Sequence, residues 1–312
     1  MTASADTAKA GLSARPSMLT AIDPARRLTL IAAGSMILVV GLILAFVTFN
    51  GLRLFLFDHQ SPALIFNATW RPLDGTGEKA IFGLLPFAAG TLALTALAIV
   101  IATPLAIGLA LFLAEVAPGW ARRVVQPSLE MFVGIPSVVY GWIGLTALVP
   151  FLRTNFGWLG FETGFSWFTG SLVLAVMILP TITSVSYDAL RAVPSDWRYA
   201  SLALGTTRWQ TIRHLLLPAS IASLATAVVL GMTRAAGEAL AVQMVIGSAP
   251  VLPHSLAAPM STLTSQITID MGNTTYGSTW QDALWTMSLI LLVISIVFVV
   301  LVRRLQTGST WA

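Results

Sequence analysis

Two ionisable residues stand inside an otherwise apolar stretch of this sequence, VVLGMTRAAGEALAVQMVIG, which runs from Val228 to Gly247. Arg234 and Glu238 are four positions apart, so a continuous helix would place them on one face, about 5–6 Å from each other. A charge at the centre of a bilayer costs about 2.5–3.5 kcal/mol on insertion scales. Either the two residues form a self-contained structural ion pair, or Arg234 offers its forked N–H donors to a passing oxyanion and Glu238 holds the arginine between cycles.

The composition places these two residues in lipid. Of 312 residues, 56% are hydrophobic and 10% are charged, the mean hydropathy is +0.83, and soluble domains carry about 25% charged residues. A spanning helix needs about 20 apolar residues. Six stretches are long enough, namely residues 28–49, 87–114, 131–152, 170–187, 219–246 and 283–302. Because backbone groups in lipid must pair within their own segment, the sequence predicts an all-α integral membrane protein with six transmembrane helices.

The basic residues indicate how these helices are oriented. If the N-terminus lies inside, most of the 17 Lys and Arg residues fall on the cytoplasmic side, which predicts that both termini are cytoplasmic. Residues 1–27 and 306–312 are then cytoplasmic tails, and residues 50–86 form a periplasmic loop. Residues 28–49 are interpreted as a retained first transmembrane helix rather than a cleaved signal peptide. The outer loops 50–86 and 247–282 are either connections or a docking surface for a soluble partner.

Catalytic and metal-binding chemistry has little support in the sequence. There is no cysteine, the three histidines have no metal-ligand spacing, and no nucleophile is paired with a base. Neither Lys9 nor Lys79 lies in the Gly-Lys-Ser/Thr context of a phosphate-binding P-loop, so any ATP hydrolysis is expected in a separate partner subunit. We therefore predict that the chain is not an enzyme and binds no cofactor or metal. Glu115 is expected to be solvated or paired at the membrane interface.

The polar segment DALRAVPSDWRYASLALGTTRWQTIRHLLLPAS separates the fourth and fifth apolar stretches. It predicts two short helices, the first with Ser195 as its N-cap and Gly205 as its left-handed terminator. The second is predicted from about residue 207 to 217, and Pro218 then opens the next span. Such a basic, Trp-containing segment suits a groove on a soluble protein, although it also suits an interfacial helix resting on anionic headgroups.

The spacing within this segment resembles the EAA loop of ABC importer permeases. That pattern is Glu-Ala-Ala, three residues, Gly, nine residues, Ile, one residue and Leu-Pro. The positions of the pattern fall here on Ala200, Ser201, Gly205, Leu217 and Pro218. Tyr199 replaces the glutamate, which leaves open the contact that the glutamate makes. The resemblance implies that the loop, at about residues 188–218, forms a coupling helix that fits a cleft on an ATP-hydrolysing subunit.

Three further motifs resemble the permeases of the phosphate import system. They are ATPLAIGLALFLAEVAP, GIPSVVYG and RAAGEALAV, and the last resembles PstC-type more than PstA-type permeases. The resemblance covers about residues 85–305 and implies a type I ABC importer permease core, MetI-like, of five helices over residues 87–305. The first helix would wrap a partner. In these permeases the positions matched by Arg234 and Glu238 are regarded as translocation residues.

The resemblance also implies the assembly and the location of the protein. The expected partners are a homologous PstA-like permease, a PstB-like ATPase dimer and a PstS-like periplasmic binding protein, and a PhoU-like regulator is a further candidate. The expected location is the bacterial inner membrane, with the pore between two homologous chains. The predicted function is ATP-driven import of inorganic phosphate from the periplasm. Another oxyanion such as sulfate or molybdate, a stand-alone secondary transporter, and a signalling membrane protein remain alternatives.

Overall fold

The computed structural model describes residues 24–72 and 80–307. The predicted tail residues 1–23 and 308–312, with Lys9, and the loop residue Lys79 lie outside the described residues. The chain divides into two compact units, one ending at Phe49 and the other starting at Asn50. Helix α1 (Pro24–Leu56) begins in the first unit and ends in the second.

The second unit contains almost all of the architecture. It opens with a 3₁₀ turn (Pro62–Phe66) and an antiparallel hairpin of β1 (Trp70–Arg71) and β2 (Ile81–Phe82), in which Trp70 pairs with Phe82. The helices that follow are α2 (Leu85–Leu111), α3 (Gly119–Gly134), α4 (Ser137–Ile143), α5 (Val149–Phe156), α6 (Trp167–Arg191), α7 (Ser195–Ala203), α8 (Arg208–Thr211), α9 (Leu217–Ala236), α10 (Leu240–Ile246), α11 (Leu263–Asp270) and α12 (Thr279–Thr307).

Six helical segments in the described ranges are long and apolar enough to cross a membrane, as predicted. They are Arg26–Leu56, Leu85–Val116, Ser137–Leu159, Trp167–Arg191, Arg208–Ala236 and Thr279–Leu301. The fourth segment is longer than predicted because Ser166 caps its start, where its side chain accepts the N–H of Thr169. It continues through Pro180 and is the most buried of the six, so neighbouring helices support it.

The core of the second unit lies where α2, α6 and α9 pack together. Ala98, Ala102 and Ala106 of α2 are fully buried and spaced by four residues, so they line one helix face. They pack into a cluster with Ile178 of α6 and Ala227 of α9. Small residues let the helix backbones approach closely, which is how membrane helices associate where apolar burial gives no driving force.

The third span begins later than predicted. We expected it to start at Met131, but that residue belongs to α3, and the span starts at Ser137. Ile135 and Pro136 between them are extended, with ψ of 128° and 137°, because a proline disfavours the helical conformation in the residue before it. Helix α3 was not predicted, although Ala121 and Leu129, which are buried on one face at a spacing of eight, are a signal for it.

The fifth span differs from its prediction at both ends. The second loop helix and the span form one helical segment, Arg208–Ala236, with a π-helical section at Ile212–Leu216, so Pro218 lies in the first turn of α9 but does not mark the start of the span. A second π section, Gly144–Leu148, also ends two residues before a proline, Pro150. A proline removes one N–H and crowds a carbonyl of the preceding turn, so a wider turn at these places is physically reasonable.

The loop 247–282, which the sequence left open as either a connection or a docking surface, contains the buried helix α11. Thr262 caps α11 in a reciprocal capping box with Ser265. The Thr91 hydroxyl of α2 accepts the backbone N–H of Leu263 at 2.9 Å and donates to the carbonyl of Phe87 at 2.9 Å. The first turn of α11 is therefore fixed to α2 by a buried hydrogen bond.

Candidate functional site

Arg234 lies in the last turn of α9 and is half-buried. Its Nη1 donates a hydrogen bond of 2.8 Å to the Thr181 hydroxyl of α6. Thr181 directly follows Pro180, and it was not recognised from the sequence as a site residue. Its position beside a proline in an apolar helix is the signal that was available. The two helices α6 and α9 thus bring the arginine and the hydroxyl together.

Glu238 lies in a break between two helices. Helix α9 ends at Ala236, and α10 begins at Leu240. The Glu238 carboxylate accepts a hydrogen bond of 3.4 Å from the backbone N–H of Ala241, a residue in the first turn of α10. Its backbone carbonyl accepts a hydrogen bond of 2.8 Å from the Thr264 hydroxyl of α11. The break is therefore held by hydrogen bonds on both of its sides.

The prediction that Arg234 and Glu238 share one face of a continuous helix is wrong. The spacing of four residues brings side chains together only where the helix is unbroken, and here the chain leaves the helix at Gly237, its C-cap. Both residues lie in the described part of the chain, and no salt bridge joins them there. The recorded partner of the Arg234 guanidinium is a neutral hydroxyl, so its positive charge is not cancelled by Glu238 in this conformation.

This arrangement is chemically suited to an oxyanion. A guanidinium presents planar, forked N–H donors and stays charged at physiological pH. A threonine hydroxyl has one hydrogen to donate and two lone pairs, so Thr181 can accept from Arg234 and still donate to an anion. Hydrogen bonds from charged donors are the stronger kind. Arg234 and Thr181 together can therefore present several donors to one tetrahedral anion.

The loop 188–218 forms the second predicted site. Helix α7 begins at Ser195, but its N-cap is Pro194 and it has no side-chain cap, so the predicted Ser195 cap is wrong. Gly205 is left-handed, with φ of +83°, which confirms it as the terminator, since glycine adopts that conformation without a Cβ penalty. Helix α8 starts with a capping box of Thr207 and Gln210.

The loop residues matched to the EAA pattern fall into two places. Ala200 is exposed and Ser201 is half-buried, and both line a cavity of about 540 Å³ between α7 and the start of the fifth span. The Ser201 hydroxyl is within 2.8 Å of the Thr206 hydroxyl, so it fixes the turn that Gly205 makes. Leu217 is half-buried and packs against a cluster of Val193, Ile212 and Leu216, and Pro218 is exposed at the start of α9.

Large apolar side chains are exposed along this loop. Tyr199 is 69% exposed, Leu204 85% and Trp209 63%. No residue of α7 is buried. Tyr199 and Leu204 lie outside the spanning segments, where an exposed apolar patch marks a contact with another protein or with the lipid surface.

The residues that the structure describes contain no arrangement suited to binding a metal ion. Among them, no group of three or more His, Asp or Glu side chains is placed to hold a metal ion. The ion pairs recorded there are Arg53–Asp282 and Arg198–Glu115. Glu115 is thus paired, one of the two outcomes expected for it, whereas its partner Arg198 was not recognised, because the two are 83 residues apart.

Six membrane-crossing helices, a half-buried arginine at a helix break and an exposed apolar helical loop define a multi-pass membrane protein of the transport class. Residues 102–309 match the family described as "Binding-protein-dependent transport system inner membrane component". The chain belongs to this family and is a permease subunit of an ABC transporter in the inner membrane.

Relatives of known name agree with this assignment. The chain is 48% identical over 289 residues to the probable ABC transporter permease protein YqgH of Bacillus subtilis (strain 168), with 92% of each chain covered. It is 32% identical over 260 residues to the phosphate transport system permease protein PstC of Xylella fastidiosa (strain Temecula1), with 78% of each covered. It is 35% identical over 234 residues to PstC of Haemophilus influenzae, with 70% of this chain and 74% of that protein covered.

Solved structures confirm the fold predicted from the resemblance. The inward-facing MetNI methionine ABC transporter matches with a TM-score of 0.55 and 22% identity, covering 71% of this chain and 93% of its own. A bacterial alginate ABC transporter, in complex with a periplasmic protein bound to alginate pentasaccharide, matches with a TM-score of 0.61 and 16% identity, covering 91% and 96%. The second unit therefore has the MetI-like importer permease core.

Proposed function

We propose that this chain is the PstC-like permease subunit of an ATP-driven importer that carries inorganic phosphate into the cytoplasm. The observation on which the proposal rests is the half-buried Arg234, whose recorded partner is the neutral Thr181 hydroxyl. Several relatives that cover most of the chain are named as phosphate permeases, and they supply the identity of the anion. The Bacillus subtilis relative carries no substrate in its name.

In the proposed cycle the anion replaces solvent at Arg234. Phosphate oxygens accept hydrogen bonds from the guanidinium N–H groups and from the Thr181 hydroxyl. The break at Gly237 leaves this end of α9 without a continuing helix. A transport site must also bind weakly enough to release its cargo. Glu238, four residues further along the chain, provides the opposing charge that limits affinity and can hold Arg234 when the helices rearrange.

The proposed assembly places one set of partners on the cytoplasmic side of the chain and another on its periplasmic side. Both termini are cytoplasmic, and so is the loop 188–218, whose exposed Tyr199 and Trp209 dock on a PstB-like ATPase dimer that binds and hydrolyses the ATP. A PstS-like binding protein delivers phosphate on the periplasmic side, and a PstA-like permease completes the pore. The chain itself is then not an enzyme and needs no cofactor, and a PhoU-like regulator acts from the cytoplasm.

The test is phosphate uptake by the reconstituted complex carrying Arg234→Leu. A hydrogen bond to a charged group is worth about 1.5–3 kcal/mol, so we expect uptake to fall about 10- to 150-fold. Arg153→Leu is the matched control, because Arg153 is an exposed arginine at the end of the third span. It should leave uptake within about twofold of wild type.

Competition decides the cargo. Excess unlabelled phosphate should abolish uptake of labelled phosphate, whereas equal concentrations of sulfate or molybdate should leave it nearly unchanged. Efficient competition by sulfate or molybdate would assign the permease to another oxyanion. Normal uptake by an assembled Arg234→Leu complex would disprove the role of the arginine, and uptake by the purified chain without nucleotide would disprove the importer assignment.

A further inference from the structure

The side chain of Arg198 in α7 joins three parts of the structure. Its Nε donates to Glu115 Oε1 at 3.0 Å. Its Nη1 donates to the backbone carbonyl of Val193 at 2.6 Å, and its Nη2 donates to the carbonyl of Leu190, in the last turn of α6, at 2.6 Å. One guanidinium thus connects α7 with the ends of two membrane-crossing helices.

Each of these bonds satisfies a group that needs a partner. The last carbonyls of a helix have no partner within the helix, and a cation near them also interacts favourably with the helix dipole. Arg198 supplies both a donor and a positive charge at the end of α6. The Arg198 and Glu115 side chains are each only 19% exposed, so solvent screens the pair less than it screens a fully exposed pair.

Apolar packing contributes little to the position of α7. This helix buries none of its own residues. A cavity of about 280 Å³, lined by Glu115, Arg122, Arg198 and Tyr199 among others, lies beside the ion pair, so packing there is incomplete. The position of α7 therefore depends on hydrogen bonds, and those of Arg198 reach across 83 residues of sequence to Glu115.

Glu115 itself belongs to the end of the second span. It lies in the π-helical section Phe112–Val116 that directly continues α2. Helices α2 and α6 form the buried core of the second unit through residues such as Ala102 and Ile178. A displacement of α7 must consequently either move the ends of both helices or break the bonds of Arg198.

We propose that Arg198 is a positioning residue that, through Glu115 and the end of α6, transmits the movement of the docked loop to the membrane-crossing helices. The inference rests on the proposed function, in which loop 188–218 contacts the ATPase. It assigns to Arg198 and Glu115 a role in coupling ATP hydrolysis to transport, distinct from the docking contact and from the anion site.

The first test measures the phosphate transported per ATP hydrolysed in proteoliposomes containing the whole complex. Arg198→Met and Glu115→Ala should each lower this ratio about threefold to tenfold, while hydrolysis by the assembled complex continues. The double variant should lower the ratio no further than the more severely affected single variant does, because both substitutions remove the same link. Glu115→Gln keeps the acceptor for Arg198 Nε and should retain most of the coupling, and Arg123→Gln, an exposed arginine of α3, is the matched control.

The second test needs neither phosphate nor partners. The chain contains no cysteine, so spin labels can be placed at Leu204→Cys and Val124→Cys, both exposed positions, in the full chain in nanodiscs. Glu115→Ala and Arg198→Met should broaden the distance distribution between the labels, and Arg123→Gln should leave it unchanged. Variants are compared only when their size-exclusion profiles match that of wild type.

The two tests separate the inference from the function on which it rests. An unchanged ratio of phosphate to ATP in both single variants, or losses that multiply in the double variant, would overturn the coupling role. Distributions as narrow as that of wild type would overturn the mechanical link. If the wild-type complex moved no phosphate, the proposed function would fail, and the spin-label result would still decide whether Arg198 positions α7.

Discussion

Gly90 of α2 packs directly against the backbone of the segment that leads into α11. A Cβ placed on Gly90 would lie 2.2 Å from the carbonyl oxygen of Ser261, the residue before the N-cap of α11. Gly90 also neighbours Thr91, whose hydroxyl binds the N–H of Leu263. We predict that Gly90→Ala pushes the start of α11 away from α2 and weakens this hydrogen bond.

The magnitude follows from what has to move. Carbon and oxygen atoms in contact are normally more than 3 Å apart, so a separation of 2.2 Å requires a backbone shift of about 1 Å, and no side-chain rotation can relieve it. Overpacking of this kind costs about 1–3 kcal/mol. The alanine gains up to about 1 kcal/mol of helix propensity over glycine, which leaves a net loss of about 0–2 kcal/mol from packing alone. Loss of the Thr91–Leu263 hydrogen bond adds about 1 kcal/mol.

The assay is thermal unfolding of the purified chain in detergent, followed by the fluorescence of its 10 tryptophans. A loss of about 1–3 kcal/mol should lower the midpoint by roughly 3–10 °C, taking about 2–4 °C per kcal/mol for large domains. Gly108→Ala is the matched control on the same helix, because a Cβ added at Gly108 would meet no neighbouring atom within 4 Å. It should keep or raise the midpoint.

The difference in unfolding midpoint between Gly90→Ala and Gly108→Ala tests whether the contact with Ser261 constrains α11. If Gly90→Ala and Gly108→Ala unfold at the same temperature, the contact with Ser261 does not constrain α11, and the close approach of the two segments has no energetic weight. A lower midpoint for Gly108→Ala alone would contradict the packing of α2 altogether.

Two further substitutions test the loop and the helix break. Tyr199→Ala removes an exposed aromatic side chain from the proposed docking surface and should weaken ATPase binding to the purified permease about 5- to 30-fold. Tyr276, which is 91% exposed on another loop, is the control, and Tyr276→Ala should leave binding unchanged. An equal effect of both substitutions would refute the proposal that Tyr199 lies in the docking surface. Thr264→Val leaves the Glu238 carbonyl without its 2.8 Å partner, which should cost about 1–3 kcal/mol and lower phosphate uptake at least threefold. Thr268→Val is its control within α11, and unchanged uptake in both would show that the hydrogen bond does not hold the break.

The sequence predicted the features that depend on composition and on local chemistry. Long apolar stretches predicted six membrane-crossing helices because lipid leaves few alternatives for the backbone. Gly205 was predicted as a helix terminator because few other residues adopt positive φ, and the structure gives it φ of +83°. Both predictions use information contained within a single segment.

The sequence failed where two distant segments decide the outcome. The apolar character of residues 228–247 continues across Gly237, so composition gave no sign of the break at which Glu238 is held by Thr264 of α11. The partner of Arg234 proved to be Thr181, 53 residues away. A spacing of i and i+4 is evidence for contact only when the helix between them is known to be continuous.

Helix α2 links the two regions in which function is proposed. Near its start, Thr91 holds α11, and α11 in turn holds the Glu238 carbonyl at the helix break through Thr264. Beyond its other end, in the π-helical section that continues α2, Glu115 holds Arg198 of the loop, 24 residues and about 36 Å from Thr91 at 1.5 Å per residue. Because Ala98, Ala102 and Ala106 pack the middle of α2 closely against α6 and α9, we expect a displacement of one end of α2 to reach the other end. Gly90→Ala should therefore lower the ratio of phosphate transported to ATP hydrolysed by the complex as well as its stability, although Gly90 is far from the loop 188–218 that we propose contacts the ATPase.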